Sequence, residues 1–351
     1  MKRADQILAD IQFGDAVTDH AFALQKRLRQ MGYQSDIYAE HIHPLLAGKA
    51  KSILEFQPGQ IVIHHFAIGS RLNKMMKEFT NCKKVLVYHN ITPPAFFEGY
   101  NLHSQTLCIQ AMEQLKSLCH TYDLCIGVSG YNCAQLREFG FHNLHVLPIL
   151  YDFQRIDASV DQKFLNKMQG KMNLLFLGRI VPNKRQEDVI KAFYLYQKIC
   201  PNSMLYLPGS YQGMEKYLNE LVSLTFLLNL EKKVVFLGKV SYGTMAALYQ
   251  GADLFLSMSE HEGFCVPLME AMHFDLPVMA YASSAIPETL GQGGVLFYQK
   301  NYPLVAEMMV KLTTDQKLRN QVVVKQRERM NQLEEQKIGQ QFEFMIKELG
   351  V

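Results

Sequence analysis

The sequence predicts two α/β domains, each built on a parallel β-sheet with helices packed on its faces. The chain of 351 residues is longer than one hydrophobic core usually serves. Short apolar runs recur along it, each ending near Gly, Pro, His or Ser, and longer segments with helical periodicity separate them. This alternation is typical of βαβ units, which place parallel strands side by side in one sheet.

The first domain is expected to cover residues 1–165. Its predicted strands are 6–13, 35–39, 60–66, 84–88, 123–128 and 144–147. Between the first two strands, one helical face carries Ala21, Leu24, Leu28 and Met31. The following Gly32 is suited to end that helix, because glycine adopts the left-handed conformation common after a helix.

The second domain is expected to cover residues 171–330, with strands at 173–177, 204–207, 233–237, 253–257 and 277–281. Residues 151–171 are less apolar and are the predicted hinge. In the remaining segment, 331–351, the residues Ile338, Phe342 and Ile346 share one helical face. We therefore expect a final helix that packs back towards the first domain.

Composition narrows the possible functions. The chain is 48% hydrophobic and 20% charged, which excludes a disordered protein, and its net charge of +3 gives no indication of a nucleic-acid partner. The seven cysteines show neither a C-x-x-C pair nor a Cys/His zinc spacing, so we expect reduced thiols and no metal. A long apolar run and a signal peptide are both missing, so we expect a cytoplasmic protein.

The most informative segment is 253–287, in which a buried strand leads into a polar loop and then a helix. Glu262 lies in the loop, Pro267 suits the first turn of the helix, and Glu270 follows within that helix. The Gly263 backbone and the free N–H groups of a helix start can approach a phosphate or a sugar hydroxyl closely. From these residues alone, a solvated Glu262 and a Glu270 that merely favours its helix N-terminus are equally plausible.

A second group of candidate ligand-binding residues lies at the ends of other predicted strands. Arg179 and Lys184, in G-R-I-V-P-N-K, are suited to clamp a diphosphate, although surface loops commonly carry such cations. Further strand ends carry Gly209 and Val240 in the second half, and Gly14, Asp15, His65 and His89 in the first. A plain turn explains Gly14 and Asp15 equally well, many Rossmann strands end in glycine, and a lone histidine is more often structural.

Two of these motifs carry a family resemblance. The pattern E-G-F-x-x-P-x-x-E-A-M, followed by S-x-x-P-E, and the pattern G-R-x-x-x-x-K resemble retaining glycosyltransferases of the GT-B fold, glycosyltransferase family 4. The resemblance is strong after residue 173 and weak before residue 150. It implies two Rossmann-like domains facing across a cleft, the first binding the acceptor and the second the nucleotide sugar.

The resemblance also implies roles for individual residues. Glu262 would bind hydroxyls of the donor sugar, Glu270 the ribose, and Arg179 with Lys184 the diphosphate. His89 would lie beside the reacting sugar. The remaining donor-binding positions would be Gly263, Phe264, Cys265, Val266, Gly209, Val240, Gly14 and Asp15, although the G-D-A at residues 14–16 departs from the family's double glycine.

The implied activity is hexosyl transfer with retention of configuration, without metal or cofactor. The metal-dependent glycosyltransferase fold uses a D-x-D motif, which this sequence lacks. Similarity to bacterial members that build surface polysaccharides favours mannose from GDP-mannose and a glycan or lipid-linked glycan acceptor. The locally basic segments 26–30 and 71–84 are suited to an anionic membrane at the cytoplasmic face, or are simply solvated helix faces.

Two alternatives stay open on the sequence. A dinucleotide oxidoreductase also has Rossmann domains, but its G-x-G-x-x-G after the first strand is missing here. A catalytically silent glycosyltransferase homologue, binding a nucleotide sugar or a partner enzyme, would retain the same motifs.

Overall fold

The computed structural model describes residues 2–157 and 160–350, which form two compact units. The first unit comprises the residues up to Ala95, Leu102–Asp152 and the residues from Leu333 onward. The second comprises Phe96–Asn101 and Phe153–Gln332. The second unit thus begins at Phe153, earlier than the domain start predicted at residue 171, and it takes a short segment from within the range assigned to the first domain.

The first unit contains a seven-stranded sheet whose paired strands are all parallel. Its spatial order is β3-β2-β1-β4-β5-β6-β7. The six predicted strands are confirmed, whereas β3 escaped prediction because two residues are too few to show a pattern. The strands are β1 (Ala4–Ile11), β2 (Ile37–Ile42), β3 (Lys51–Ser52), β4 (Ile61–Phe66), β5 (Lys83–Tyr88), β6 (Leu124–Gly127) and β7 (Leu144–Val146).

The first helix of this unit forms where the apolar periodicity predicted it. The Asp15 carboxylate accepts a hydrogen bond from the backbone N–H of Thr18 at 3.1 Å and so caps the helix. Ala21, Leu24 and Leu28 are fully buried, as expected for one face packed on a sheet. The helices up to this unit's last strand are α1 (Ala16–Gln30), α2 (Leu72–Met75), α3 (Leu102–Ser117) and α4 (Gly130–Glu138).

The second unit contains a six-stranded parallel sheet in the order β10-β9-β8-β11-β12-β13. All five predicted strands are confirmed. The additional β13 is three residues long and follows a run of glycines, which concealed it. The strands are β8 (Met172–Leu175), β9 (Ser203–Pro208), β10 (Val234–Gly238), β11 (Leu254–Ser257), β12 (Val278–Tyr281) and β13 (Val295–Phe297).

Strand order reverses at one place in each sheet, between β1 and β4 and between β8 and β11. In open parallel sheets, ligands bind outside the carboxyl ends of the strands at such a switch point. The helices surrounding the second sheet are α5 (Gln154–Asp157), α6 (Gln162–Met168), α7 (Gln186–Ile199), α8 (Glu215–Leu227), α9 (Tyr242–Gly251), α10 (Val266–His273), α11 (Ile286–Leu290), α12 (Tyr302–Thr314) and α13 (Gln316–Gln332).

The final helix, α14 (Glu335–Lys347), belongs to the first unit and contacts α1. Its buried residues are Ile338, Gly339, Phe342 and Ile346. The Arg27 guanidinium of α1 lies against Gly339 and donates a hydrogen bond to Glu343 at 3.2 Å. An added Cβ at position 339 would meet Arg27 Nη2 at 2.1 Å, so the end of the Arg27 side chain would have to move.

The basic segment 26–30 is largely neutralised within the unit. Lys26 faces Glu335 at 3.6 Å, Arg27 faces Glu343 at 3.2 Å, and Arg29 faces Asp36 at 3.7 Å. Acidic side chains of the same unit therefore offset much of the positive charge of this segment, and its contact with a membrane stays a prediction. Among the helices in the described part of the chain, none combines the length and apolar character needed to cross a membrane.

Candidate functional site

Two loops meet at the switch point of the second sheet, where β8 and β11 lie side by side. The first loop contains a short 3-10 helix, Pro182–Lys184, and the second contains residues 258–265. Asn183 ties them together, because its side-chain amide donates to the His261 carbonyl at 3.0 Å and its own carbonyl accepts from the Glu260 N–H at 2.9 Å. The two conspicuous sequence motifs are therefore parts of one structure.

Lys184 and Glu262 form an ion pair at this junction. The Lys184 ammonium lies 2.6 Å from each oxygen of the Glu262 carboxylate. The Glu262 side chain is 7% exposed and that of Lys184 19%, so water screens the pair weakly. The Ser284 hydroxyl accepts a hydrogen bond from the Glu262 N–H at 2.8 Å. The sequence assigned these residues separate partners, and the structure pairs them with each other.

Arg179, in the same loop as Lys184, is exposed. Its carbonyl accepts a hydrogen bond from the Gln186 side chain at 2.8 Å, which fixes the backbone of the loop. Within residues 2–157 and 160–350, no hydrogen bond or ion pair is made by its guanidinium. Arg179 is therefore a cation of this loop whose charge has no partner among the described residues.

Glu270 lies inside α10, and its carboxylate is buried. It accepts a hydrogen bond from the Tyr249 hydroxyl of α9 at 2.6 Å. The helix begins at Val266, immediately after Cys265 in the left-handed conformation (φ 73°), and Pro267 occupies its first turn. The alternative of a solvated Glu262 is wrong, because that side chain is buried and paired with Lys184, and Glu270 has a buried tertiary partner in addition to its place in the helix.

The side chains at the junction of the second loop and α10 are also buried. Phe264, Cys265 and Val266 are all buried, and the Thr289 hydroxyl donates a hydrogen bond to the Phe264 carbonyl. Burial raises the pKa of the Cys265 thiol well above its ordinary value, and the nearby Glu262 carboxylate acts in the same direction. Cys265 is therefore an inert thiol at neutral pH.

Three glycines bring the ends of β8, β9 and β10 into close contact. The Gly209 N–H donates to the Gly238 carbonyl at 2.8 Å, and the Gly178 N–H donates to the Pro208 carbonyl at 3.1 Å. A Cβ at position 209 would lie 1.8 Å from the Gly178 carbonyl oxygen, so only glycine fits there. Val240 is half-buried two residues beyond Gly238.

A charged network that the sequence did not reveal supports the Glu262 loop. Arg185 donates to Glu260 at 2.7 Å, and Lys300 donates to Glu260 at 2.8 Å and to Asp188 at 2.7 Å. Burial acts to raise the pKa of Glu260, but the hydrogen bonds from Lys300 and Arg185 bring it below its ordinary value. These residues come from separate segments, so no local spacing could have indicated the network.

The candidates in the first unit lie at the carboxyl ends of its strands. Gly14 (φ 69°) forms the turn between β1 and α1, and Asp15 is the cap of that helix. His89 follows β5, with its Nε2 2.9 Å from Nδ1 of His65. Burial, together with the neighbouring His20, lowers the pKa of His89 well below its ordinary value, so its ring is uncharged at neutral pH.

The two parallel-sheet units define the GT-B fold. Anabaena HepE, solved in complex with UDP and glucose, superposes with a TM-score of 0.77 at 16% sequence identity, covering 98% of this chain and 99% of that one. Residues 157–329 match the family model described as "Glycosyl transferases group 1". This region contains the Lys184, Glu262 and Glu270 positions described above.

Curated relatives are similar in sequence to part of this chain. Mannosylfructose-phosphate synthase from Agrobacterium fabrum is 29% identical over 162 residues, which cover 43% of this chain and 35% of the relative. The GDP-mannose-dependent monoacylated alpha-(1-6)-phosphatidylinositol monomannoside mannosyltransferase from Corynebacterium glutamicum is 25% identical over 219 residues, covering 58% and 56%. The chain thus spans between a third and somewhat over half of the length of these relatives.

Proposed function

We propose that this protein is a hexosyltransferase of glycosyltransferase family 4 that transfers a hexose from a nucleotide sugar with retention of configuration and without a metal. The observation that carries this proposal is the grouping of Arg179, Lys184 and Glu262 at the switch point of the second sheet. An exposed guanidinium in the loop that also carries Lys184, together with the weakly exposed Lys184–Glu262 pair, suits a ligand that brings both a diphosphate and sugar hydroxyls.

The Lys184–Glu262 pair suggests how the donor binds. Before binding, each group compensates the buried charge of the other. When the donor arrives, a phosphate oxygen replaces the carboxylate as the partner of Lys184, and Glu262 becomes free to accept hydrogen bonds from sugar hydroxyls. The exchange keeps every buried charge compensated, which limits the energetic cost of breaking the pair.

The chemical step then breaks the bond between the anomeric carbon and the diphosphate oxygen. Negative charge grows on the diphosphate, where Arg179, Lys184 and the N–H groups at the start of α10 stabilise it; one such oriented donor is typically worth about 3 kcal/mol of barrier. The acceptor hydroxyl bonds to the anomeric carbon on the face that the diphosphate leaves, and its proton passes to a leaving phosphate oxygen.

GDP-mannose is the donor that we favour. One relative is named for its dependence on GDP-mannose and another for mannosyl transfer, whereas HepE was solved with UDP and glucose. We propose a glycan or lipid-linked glycan acceptor in surface polysaccharide synthesis, with transfer at the cytoplasmic face of the membrane. His89, by its resemblance to the family histidine, is proposed to lie beside the transferred sugar.

A donor panel tests the proposal. Purified protein incubated with GDP-mannose, UDP-glucose and related nucleotide sugars is expected to release free nucleotide slowly from one of them, because water substitutes for the acceptor. NMR of the released sugar at early times should show the donor's anomeric configuration. If no donor in the panel binds or turns over, even with candidate acceptors present, the silent-homologue alternative is favoured instead.

Metal independence has its own test. Transfer measured in excess EDTA should equal transfer in added Mg²⁺ or Mn²⁺, since protein cations are proposed to stabilise the leaving diphosphate. A rate that falls in EDTA and returns with Mg²⁺ would contradict the metal-free mechanism while leaving the glycosyltransferase proposal intact.

A further inference from the structure

Three histidines converge in the first unit, apart from the residues proposed to bind the diphosphate. His20 lies in α1, His65 at the end of β4, and His89 directly after β5. One ring nitrogen from each lies within 4.8 Å of one from each of the others. We propose that His20, His65 and His89 bind one divalent transition-metal ion of the zinc type, which fastens α1 to the carboxyl ends of β4 and β5.

Unpartnered nitrogen atoms are the first support for this site. Neither ring nitrogen of His20 has a hydrogen-bond partner among the described residues, although the side chain is completely buried. Buried polar atoms in native proteins are nearly always bonded, and an exception often marks an ion or water. A metal ion would give the His20 lone pair a partner, and an ion does not need a cavity large enough for a ligand molecule.

The orientation of His65 is the second support. The Gln6 side chain donates to the Ala21 carbonyl at 2.9 Å, which directs its oxygen to Nε2 of His65 at 2.8 Å. His65 must therefore carry its proton on Nε2, and its Nδ1 lone pair faces the cluster. Protein metal sites use this arrangement, in which the second nitrogen of a ligating histidine donates to a carbonyl oxygen.

The chemistry of the three rings decides which ions fit. Neutral imidazoles favour zinc, copper, nickel and iron over magnesium or calcium, which prefer oxygen. Three of them leave the fourth tetrahedral position for water.

The distances require only a small adjustment. Zinc–nitrogen bonds of about 2.0–2.1 Å place tetrahedral ligand atoms about 3.4 Å apart. Nδ1 of His65 and Nε2 of His89 are now 2.9 Å apart, and the hydrogen of this bond is on His89 because the His65 lone pair accepts it. As the ion takes its place, this proton moves to Nδ1 of His89 and the two nitrogen atoms separate slightly. The nitrogen of His20 approaches by no more than about 1.4 Å, which a side-chain rotation can supply.

Zinc titration of the whole chain tests the inference without using activity. Calorimetry should give one site per chain with a Kd below about 1 μM, and Co²⁺ should give the visible absorption of a tetrahedral site. At zinc concentrations a hundredfold above Kd, the thermal unfolding midpoint should rise. His20→Leu is the decisive variant, because it removes two unpartnered nitrogens and should leave the ion-free fold intact while weakening zinc binding at least a hundredfold.

Two exposed histidines of the same unit, His120 and His142, provide the matched control. Variants His120→Ala and His142→Ala should bind zinc as the unchanged chain does. The inference is overturned if the chain binds no zinc at stoichiometric concentration, or if His20→Leu binds it with unchanged affinity. Neither result bears on the proposed diphosphate-binding residues, which lie in the second unit.

Discussion

At the scale of single residues, the Lys184–Glu262 pair changes the meaning of the two sequence motifs that contain it. Separately, a lysine in a loop suits a phosphate and a glutamate suits a sugar hydroxyl. Paired at 2.6 Å and nearly buried, they compensate each other until a ligand arrives. The pair therefore contributes to both stability and binding, and variants must separate the two contributions.

Removing Lys184 should affect both. In Lys184→Met, the Glu262 carboxylate stays buried without its partner, and we expect the free energy of unfolding to fall by about 3 kcal/mol. Donor turnover should fall at least about tenfold, because one cation facing the diphosphate is lost. Denaturant unfolding and nucleotide release measure the two effects independently.

The double variant Lys184→Met, Glu262→Gln removes both charges and provides the control. Most of the lost stability should return, while turnover should stay low. Recovery of turnover along with stability would show that Lys184 acts only through the fold and would refute its proposed contact with the diphosphate.

Variants of Glu270 can likewise separate its contribution to stability from its contribution to donor binding. Glu270→Gln keeps an oxygen that can accept the Tyr249 hydroxyl but loses the charge proposed to bind ribose, so kcat/KM should fall at least about tenfold with the unfolding midpoint little changed. Tyr249→Phe removes the hydrogen bond of 2.6 Å and leaves the carboxylate charged. If Tyr249→Phe lowers kcat/KM as much as Glu270→Gln does, Glu270 acts through packing and its proposed ribose contact is wrong.

Residue positions were predictable from the sequence only where chemistry follows local spacing. The spacing of eight positions from Glu262 to Glu270, or of five from Arg179 to Lys184, can be read along the chain. The partners of Lys300, Glu260 and Asp188, and the convergence of His20 with His65 and His89, arise from tertiary contacts between distant segments. Patterns among neighbouring residues of the sequence do not indicate such contacts.

At the scale of secondary-structure elements, the ends of the strands in the second sheet depend on glycine. Gly209→Ala would place a Cβ 1.8 Å from the Gly178 carbonyl oxygen, an overlap that only backbone movement relieves. We expect a loss of about 3 kcal/mol or more in unfolding free energy, together with impaired donor binding. Gly170→Ala is the control, since position 170 also has a positive φ (74°) but has open space around it. Similar losses for both variants would mean that backbone strain, not the clash, dominates.

The final helix offers a matched pair of phenylalanines. Phe342 is completely buried and Phe344, two residues on, is 65% exposed. Phe342→Ala should therefore lower the unfolding free energy by about 3–5 kcal/mol, whereas Phe344→Ala should change it by less than about 0.5 kcal/mol. Denaturant melts of both variants measure the difference, and equal effects would contradict the packing of α14 on the first unit.

Elements were predictable where a pattern was long enough. The periodicity of α1 and the eleven apolar runs marked their elements to within a few residues, because buried parallel strands are continuously apolar. β3 and β13 were missed because strands of two and three residues carry no pattern, and their pairing depends on the neighbouring strand. The end of each element was the least predictable part, since capping contacts such as Asp15 with Thr18 decide it.

At the scale of the whole molecule, the two sheets share one strand order around their switch points, and the first adds one strand at its edge. The number of domains followed from length and from the βαβ alternation. The domain boundaries did not follow from the sequence. Phe96–Asn101 belongs to the second unit although its neighbours along the chain belong to the first, and the residues from Leu333 onward belong to the first unit although they follow the second. The unit that a segment joins depends on the surface against which its apolar residues pack, and the composition along the chain does not show which surface that is.

That discontinuity has a consequence for biosynthesis. The first unit starts folding when its strands have been translated, yet the helix that covers part of α1 is made only after the entire second unit. During that interval, the apolar surface later buried by Phe342 and Ile346 is open to water and to other nascent chains. The first unit is then at its most vulnerable to aggregation, and chaperone capture during synthesis should be greatest between translation of Asp152 and of α14.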